Sequence, residues 1–200
     1  MHALLKAVLY LSALLENNPP VVAVLKDGAP HGAAVIVDAR GYLVSCGHVI
    51  GRRQRVAILF RDGGKLTAAV VAQRTQDDLV LLKIDSEMYK FLPAVLAGPA
   101  TVREPVTVLG HPHGYLFTYT TGIVSAVNRT IPMPDGEPVH GLIQTDAAMN
   151  GGNSGGALFD VRGRLLGIPL ALREGARGLA FAVPASAVKR LMADHLPKED

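Results

Sequence analysis

The chain has 200 residues, enough for one compact domain or two small halves sharing a cleft, and a chain of this size buries about 70% of its unfolded surface without needing staples. Hydrophobic residues make up 49% and charged residues 18%, a globular balance, and a net charge of +3 is too mild to mark a nucleic-acid partner. A single cysteine, Cys46, excludes an intramolecular disulfide, and of seven scattered histidines only His111-Pro112-His113 form a close pair, with no third ligand spaced to join them. No metal and no cofactor are expected.

Residues 3–15 open the chain with helical spacing of Leu4, Val8, Leu11 and Leu15. A spanning helix needs about 20 apolar residues, so no stable membrane span is predicted. Lys6 interrupts the run and no clean cleavage site follows. An amphipathic helix that packs on the body or on a partner subunit is favoured, stopped by Asn17-Asn18-Pro19-Pro20. The protein is expected to be soluble. It is extracytoplasmic, in the periplasm, if residues 1–18 act as a degenerate signal, and cytoplasmic otherwise.

From Val21 the texture changes to short β-branched runs between turns. They are Val21–Leu25, Ala33–Asp38, Tyr42–Ser45, Arg55–Phe60, Leu66–Gln73 and Leu79–Ile84, punctuated by Asp27-Gly28, Arg40-Gly41 and Asp62-Gly63-Gly64. Between them Arg52, Arg53 and Arg55 form the only tight basic cluster, which without interleaved aromatics reads as a solvated loop. Ser86–Ala100, with Pro93 and Pro99, reads as a connector. A second set follows: Val106–Leu109, Leu116–Val127, Leu142–Thr145, Ala157–Val161, Leu165–Leu172 and Leu179–Val183, with a loop expected at Pro132 and Pro134. Val188, Leu191, Met192 and Leu196 then share one helical face. The fold class expected is all-β: two six-stranded antiparallel β-barrels with an N-terminal and a C-terminal helix. The boundaries are 1–20 for the N-terminal segment, 21–98 and 99–183 for the barrels and 184–196 for the closing helix. No repeat between the halves is visible.

The chemistry concentrates in Asp146-Ala147-Ala148-Met149-Asn150-Gly151-Gly152-Asn153-Ser154-Gly155-Gly156. Glycines around one serine permit a sharp turn that exposes backbone N–H groups. A serine hydroxyl is a weak nucleophile until a base takes its proton and donors hold the oxyanion. The same residues are also ordinary turn formers, so the decision rests on finding a base and an acid. Gly152–Gly156 matches the G-x-S-x-G elbow, but that order needs a later histidine, and only His195 follows, near the chain end. The opposite order fits: His48 follows the strand at Tyr42, and Asp78 precedes the strand at Leu79, both where a strand end can aim them into a cleft. His48, Asp78 and Ser154 are therefore the candidate catalytic residues.

These stretches resemble the protease domain of the HtrA/Deg family of trypsin-like serine proteases, over roughly residues 20–195. The resemblance is carried by Gly41–Ile50, Asp77–Ile84, Thr121–Ser125, Ile143–Leu158 and Gly178–Pro184. It implies a serine endopeptidase acting on unfolded or damaged polypeptide, with an oxyanion hole from the backbone N–H groups of Gly152, Asn153 and Ser154. It places Ala148 at the base of the primary pocket. Leu165–Leu172 and Leu179–Val183, Ile168 and Phe181 in particular, would supply its walls. Without a carboxylate at Ala148, a small or aliphatic residue before the scissile bond is expected.

The chain departs from the family at Cys46-Gly47, where Asn or Ala is usual, at Gly151 and Ala157, where Pro is usual, and at His111–His113 in place of Ser-Pro-Phe. Asn153 cannot form the ion pair that activates clipped zymogens, so ordering by assembly is expected instead. Cys46, two residues before His48, reads as a small buried residue. A PDZ domain is not expected after the closing helix. The family also implies homotrimers through the N-terminal segment, with Tyr10 a candidate contact; a helix packed on its own barrel is the alternative. Two other functions stay open: a chaperone-like or peptide-binding scaffold whose site awaits a partner, and an esterase with the same triad.

Overall fold

A computed structural model describes residues 19–86, 89–133, 136–172 and 178–197. The helix and the trimer contact expected within residues 1–18 lie outside them. Six strands form the first barrel: β1 (Val21–Lys26), β2 (Ala29–Asp38), β3 (Tyr42–Cys46), β4 (Arg55–Leu59), β5 (Lys65–Arg74) and β6 (Leu79–Ile84). A four-residue helix, α1 (Gly47–Ile50), follows β3 directly. The second barrel holds β7 (Pro105–Gly110), β8 (Thr118–Met133), β9 (Gly136–Thr145), β10 (Ala157–Asp160), β11 (Leu165–Leu172) and β12 (Ala180–Pro184), and α2 (Ala185–His195) ends the described chain.

Every strand pairing is antiparallel. Each barrel closes, in the orders β1-β2-β3-β6-β5-β4 and β10-β11-β12-β9-β8-β7. Among the described residues, closure leaves neither barrel with an open edge strand. The sequence texture follows from burial. In β4, Val56 and Ile58 are buried while Arg55 and Ala57 face water. In β6 only Lys83 is partly exposed, because this strand lies between β3 and β5 and both of its faces are covered.

The apolar interior divides in two. One cluster fills the second barrel with Val106, Val108, Val124, Ile143, Leu158, Leu166, Ala180 and Ala182. The other runs from Leu43, Val44 and Leu81 of the first barrel, through Ile168, Leu170 and Val183 on the outside of the second, to Val188 and Leu191 of α2. In β12 the alternation is plain: Ala180 and Ala182 face the barrel interior, and Val183 faces the junction. α2 thus closes the molecule by covering the seam between the halves.

The connector does more than link. Ala94 N–H donates to Ile36 O at 2.9 Å, and Leu165 N–H to Val95 O at 2.7 Å, so the segment is stitched to both barrels. Pro132, expected in a loop, lies in a strand instead, since β8 runs through it to Met133, which pairs with Gly136; Pro134 lies outside the described residues. Four register shifts along that pair let the ladder absorb the proline. No described helix is long and apolar enough to cross a membrane.

One buried polar group stands out at the junction. The His111 ring is fully buried, edge-on to Phe117 with ring centroids 4.8 Å apart, and its Nδ1 accepts the Phe117 N–H at 3.0 Å. Its Nε2 is buried toward the Val22 backbone, short of a well-formed hydrogen bond. Burial pushes the imidazole down from 6.5 to about 4, although the Val22 backbone favours the charged form.

Two outcomes follow for stability. Leu81→Ala, at a fully buried position, should cost about 2–5 kcal/mol, read as a lower denaturation midpoint in urea with an unchanged slope. His111 is neutral in the folded chain and titrates near 6.5 once unfolded. Its contribution is therefore complete above pH 6.5 and is lost as the pH falls toward 4. The loss is on the order of 3 kcal/mol. His31 shifts in the same direction but is exposed, so it adds little. Urea midpoints measured from pH 7.5 to 4.5 should show this slope in the wild type and a flatter one in His111→Leu; equal slopes would refute it.

Candidate active site

β3 ends at Cys46 and its direction is taken over by α1, which sets His48 one residue inside the helix. The helix is too short to hold itself. Gly51 N–H bonds to Gly47 O at 2.7 Å, and Arg53 Nη1 donates to Ile50 O at 2.8 Å, satisfying carbonyls the helix leaves open. From the opposite direction a single turn, Thr75–Asp77, delivers Asp78 in the left-handed conformation (φ +49°), which Asp tolerates better than most residues.

These two ends lock together. His48 Nδ1 hydrogen-bonds Asp78 Oδ2, the His48 backbone N–H donates to Asp78 Oδ1 at 2.9 Å, and Gly47 N–H donates to the Asp78 carbonyl at 2.8 Å. Both oxygens of the carboxylate are held, and the Asp78 side chain is mostly buried while that of His48 is 42% exposed. An imidazole held at Nδ1 by a carboxylate carries its proton there and leaves Nε2 free to accept one.

Ser154 sits in a tight loop between β9 and β10. Asn153 N–H donates to Asn150 O and Gly156 N–H to Asn153 O, both at 3.0 Å. The loop is seated on both barrels. Ala33 N–H donates to Ser154 O at 2.9 Å, and Gly155 N–H donates to Pro169 O at 2.9 Å. Gly155 has φ +81°, and a Cβ there would fall 2.2 Å from Ala33 O. Gly152 has φ +102°, and a Cβ there would fall 2.2 Å from His111 O. The loop also leans on 111–114 through His111 N–H to Gly152 O (3.2 Å) and His113 N–H to Gly151 O (2.8 Å).

Of the three backbone donors expected for an oxyanion, two are free. Among the described residues the N–H groups of Gly152 and Ser154 have no acceptor. Asn153 drops out of the set, because its N–H is spent on Asn150 O within the turn. Its side chain is buried, with Oδ1 unpartnered against Gly110.

The pocket residues separate in the same way. Ala148 is exposed, with its carbonyl accepting from Thr120 Oγ1 at 2.6 Å. Ile168 is fully buried and faces the junction between the barrels, so it lines no open pocket; the strand alternation puts it on the wrong side. Phe181 is partly buried and packs against that same junction cluster, paired with Ala171 and Gln144.

Two features escaped the sequence reading. The Ser154 hydroxyl donates to Leu170 O at 3.1 Å, and among the described residues no hydrogen bond joins it to His48. A backbone carbonyl leaves no mark in a sequence, so nothing could have flagged it. Ser45 is fully buried, and its Oγ donates to Ala33 O at 2.6 Å, bracing the peptide that holds Ser154.

Cys46 Sγ, His48 and Asp78 place ligand atoms within 4.8 Å of one another. The thiol donates to Pro169 O at 3.3 Å, and burial, reinforced by Asp78, raises its pKa well above the ordinary range. It therefore stays protonated. A metal here would have to displace that proton and break the His48–Asp78 pair.

Comparison with known proteins agrees with this geometry. Residues 32–168 match the family described as the trypsin-like peptidase domain. A probable periplasmic DegP-like serine endoprotease of Brucella suis is 35% identical over 173 residues, covering 84% of this chain and 33% of that protein. Its counterpart in Halomonas elongata is 36% identical over 159 residues, covering 76% and 32%. The chain thus spans about a third of the length of the curated relatives it matches. Among solved structures, the serine endoprotease of Yersinia pestis superposes with a TM-score of 0.78 at 30% identity, covering 92% of this chain and 65% of that one. An HtrA-type protease crystallised with a decapeptide gives 0.77 at 29%, covering 92% and 67%. With a family match over more than half its length, two closed barrels, and the His, Asp and Ser in the order of that family, the chain belongs to the trypsin-like peptidases.

Proposed function

We propose that this chain is the protease domain of a serine endopeptidase that cleaves unfolded or damaged polypeptide by acyl transfer. The observation that carries the proposal is the double hold on Asp78, which leaves His48 with one proton-accepting nitrogen and one orientation. A base so oriented, with a serine in a glycine loop and two unspent N–H groups, is the equipment for attack on a carbonyl.

In the proposed reaction the Ser154 hydroxyl leaves the Leu170 carbonyl and donates instead to His48 Nε2. His48 takes the proton as Ser154 attacks, Asp78 stabilises the imidazolium, and the N–H groups of Gly152 and Ser154 receive the oxyanion. His48 then protonates the leaving amine, and water completes hydrolysis by the same steps reversed. Ala148 offers no carboxylate at the primary pocket, which supports a small or aliphatic residue before the scissile bond over Arg or Lys. The similarity to probable periplasmic serine endoproteases supports a polypeptide substrate met outside the cytoplasm.

Fluorophosphonate labelling with an unfolded casein digest tests this directly. Ser154→Ala should abolish labelling and lower kcat about a millionfold, with an unchanged circular dichroism spectrum. Asp78→Asn should keep the fold and lower kcat about ten-thousandfold, since an amide leaves the imidazole in the wrong tautomer. A well-folded wild type that neither labels nor cleaves would favour the scaffold reading; cleavage of small esters without casein would favour the esterase.

A further inference from the structure

On the first barrel, the far side of His48 continues into a shallow, open depression lined by Lys26, His31, His48, Ile50, Arg52 and Arg53. It adjoins the nucleophile closely. Gly32, the residue after His31, sits where a Cβ would meet both Val49 and the Ser154 carbonyl. The wall is built from two separate pieces of chain, the β1–β2 turn and the segment after α1, and both bring cations. Arg53 is fixed in place by its bonds to the carbonyls of Val49 and Ile50. Lys26 and Arg52 are exposed and make no described ion pair.

The charges do not cancel. Asp27 is the one carboxylate acting on His31, against Lys26 and Arg53, and Asp78 is already committed to His48 on its other side. The cationic field is felt locally: after burial, Lys26, Arg53 and His48 each push the His31 imidazole toward its neutral form. Lys26, Arg52 and Arg53 stand against Asp27, with Asp78 behind the His48 ring, so the surface that ends on His48 keeps a positive balance.

Position says which part of a substrate would meet it. Ala148, the free N–H pair and the Leu170 carbonyl all belong to the second barrel and attend the acyl half. His48 hands its proton to the departing amine, so the segment beyond the scissile bond leaves past His48 toward the first barrel. We propose that this depression is a leaving-group subsite that selects acidic side chains in the two or three residues following the scissile bond. The proposal rests on the protease reading for its direction. The sequence reading took Arg52 and Arg53 for a solvated loop, since nothing in the chain order brings them beside Lys26 and His31.

The test uses quenched peptides with Val before the scissile bond, followed by Glu-Glu, Gln-Gln or Lys-Lys, and a control with Glu-Glu moved to the acyl side. Exposed ion pairs are individually weak, so the Glu-Glu peptide should exceed Lys-Lys by about five- to tenfold in kcat/KM at low salt. The ratio should shrink toward one in 0.5 M NaCl. Lys26→Glu with Arg52→Glu, both exposed, should reverse the order, so that Lys-Lys is cleaved faster than Glu-Glu, with the wild-type and variant proteins labelled equally by fluorophosphonate.

A second measurement separates this from the protease reading. Fluorescence anisotropy of the same labelled peptides on Ser154→Ala reads the depression without catalysis, and Glu-Glu should again bind tighter than Lys-Lys. Equal cleavage and equal binding of the three sequences would overturn the subsite even if Ser154 proves a competent nucleophile. So would a preference that follows Glu-Glu to the acyl side, or tighter binding of single-stranded DNA of matched charge, which would mark a general anion surface. Selective binding without labelling or cleavage would reject the protease and, with it, the leaving-group assignment, leaving only an acid-binding surface.

Discussion

The peptide of Ala33 joins the two halves of the molecule at the point where chemistry is proposed. Its N–H holds the Ser154 carbonyl, and its own carbonyl is held by the buried Ser45 hydroxyl. Gly155 must lack a side chain for this approach to occur at all. One strand of the first barrel therefore determines where the serine of the second barrel stands. His48 and Asp78, from the same first barrel, are positioned against the serine through that contact. The shared core and the connector hold the barrels together, and this contact is the direct backbone tie between the first barrel and Ser154 itself.

Around this contact the structure tolerates polar groups that a core normally rejects. His111 and Asn153 are both buried, one against and one within the loop that carries Ser154, and the Asn153 Oδ1 has no hydrogen-bond partner among the described residues. An unpaired buried polar atom costs on the order of 1–3 kcal/mol. Retaining one in the Ser154 loop is the pattern expected where a site's shape outranks stability. The Ser154 hydroxyl resting on Leu170 O belongs to the same picture: the side chain is satisfied at rest by a carbonyl, not by the base it would later use.

The fold was legible because barrel strands announce themselves. β6 and β11 begin and end at the expected residues, and the other strands differ by a few residues at their ends. The exception, Pro132, shows why: a proline argues for a break only if the strand belongs to a regular ladder, and the β8–β9 hairpin is irregular. The candidate triad was legible because strand ends aim side chains. What was hidden depends on backbone direction or on contacts distant in sequence. Asn153 shares every compositional mark of its neighbours, yet its N–H turns inward. Ile168 is apolar and close in sequence to Leu170, yet it faces the seam. Arg52, Arg53, Lys26 and His31 make a shared surface only once the barrel closes.

The seam between the barrels also bears on the life of the chain before it is finished. His48 and Asp78 lie in the half made first, and the serine in the half made last. The first barrel can close alone, since all six of its strands precede the connector. However, the Ala33 N–H that seats the serine has no acceptor until the loop after β9 exists, that loop gains its bond to Pro169 only with β11, and α2, the last described element, covers the joint. A nascent or half-opened molecule thus holds His48 and Asp78 without Ser154 beside them. The three residues come together only when both barrels are in place, and a barrel that came loose would take that arrangement apart.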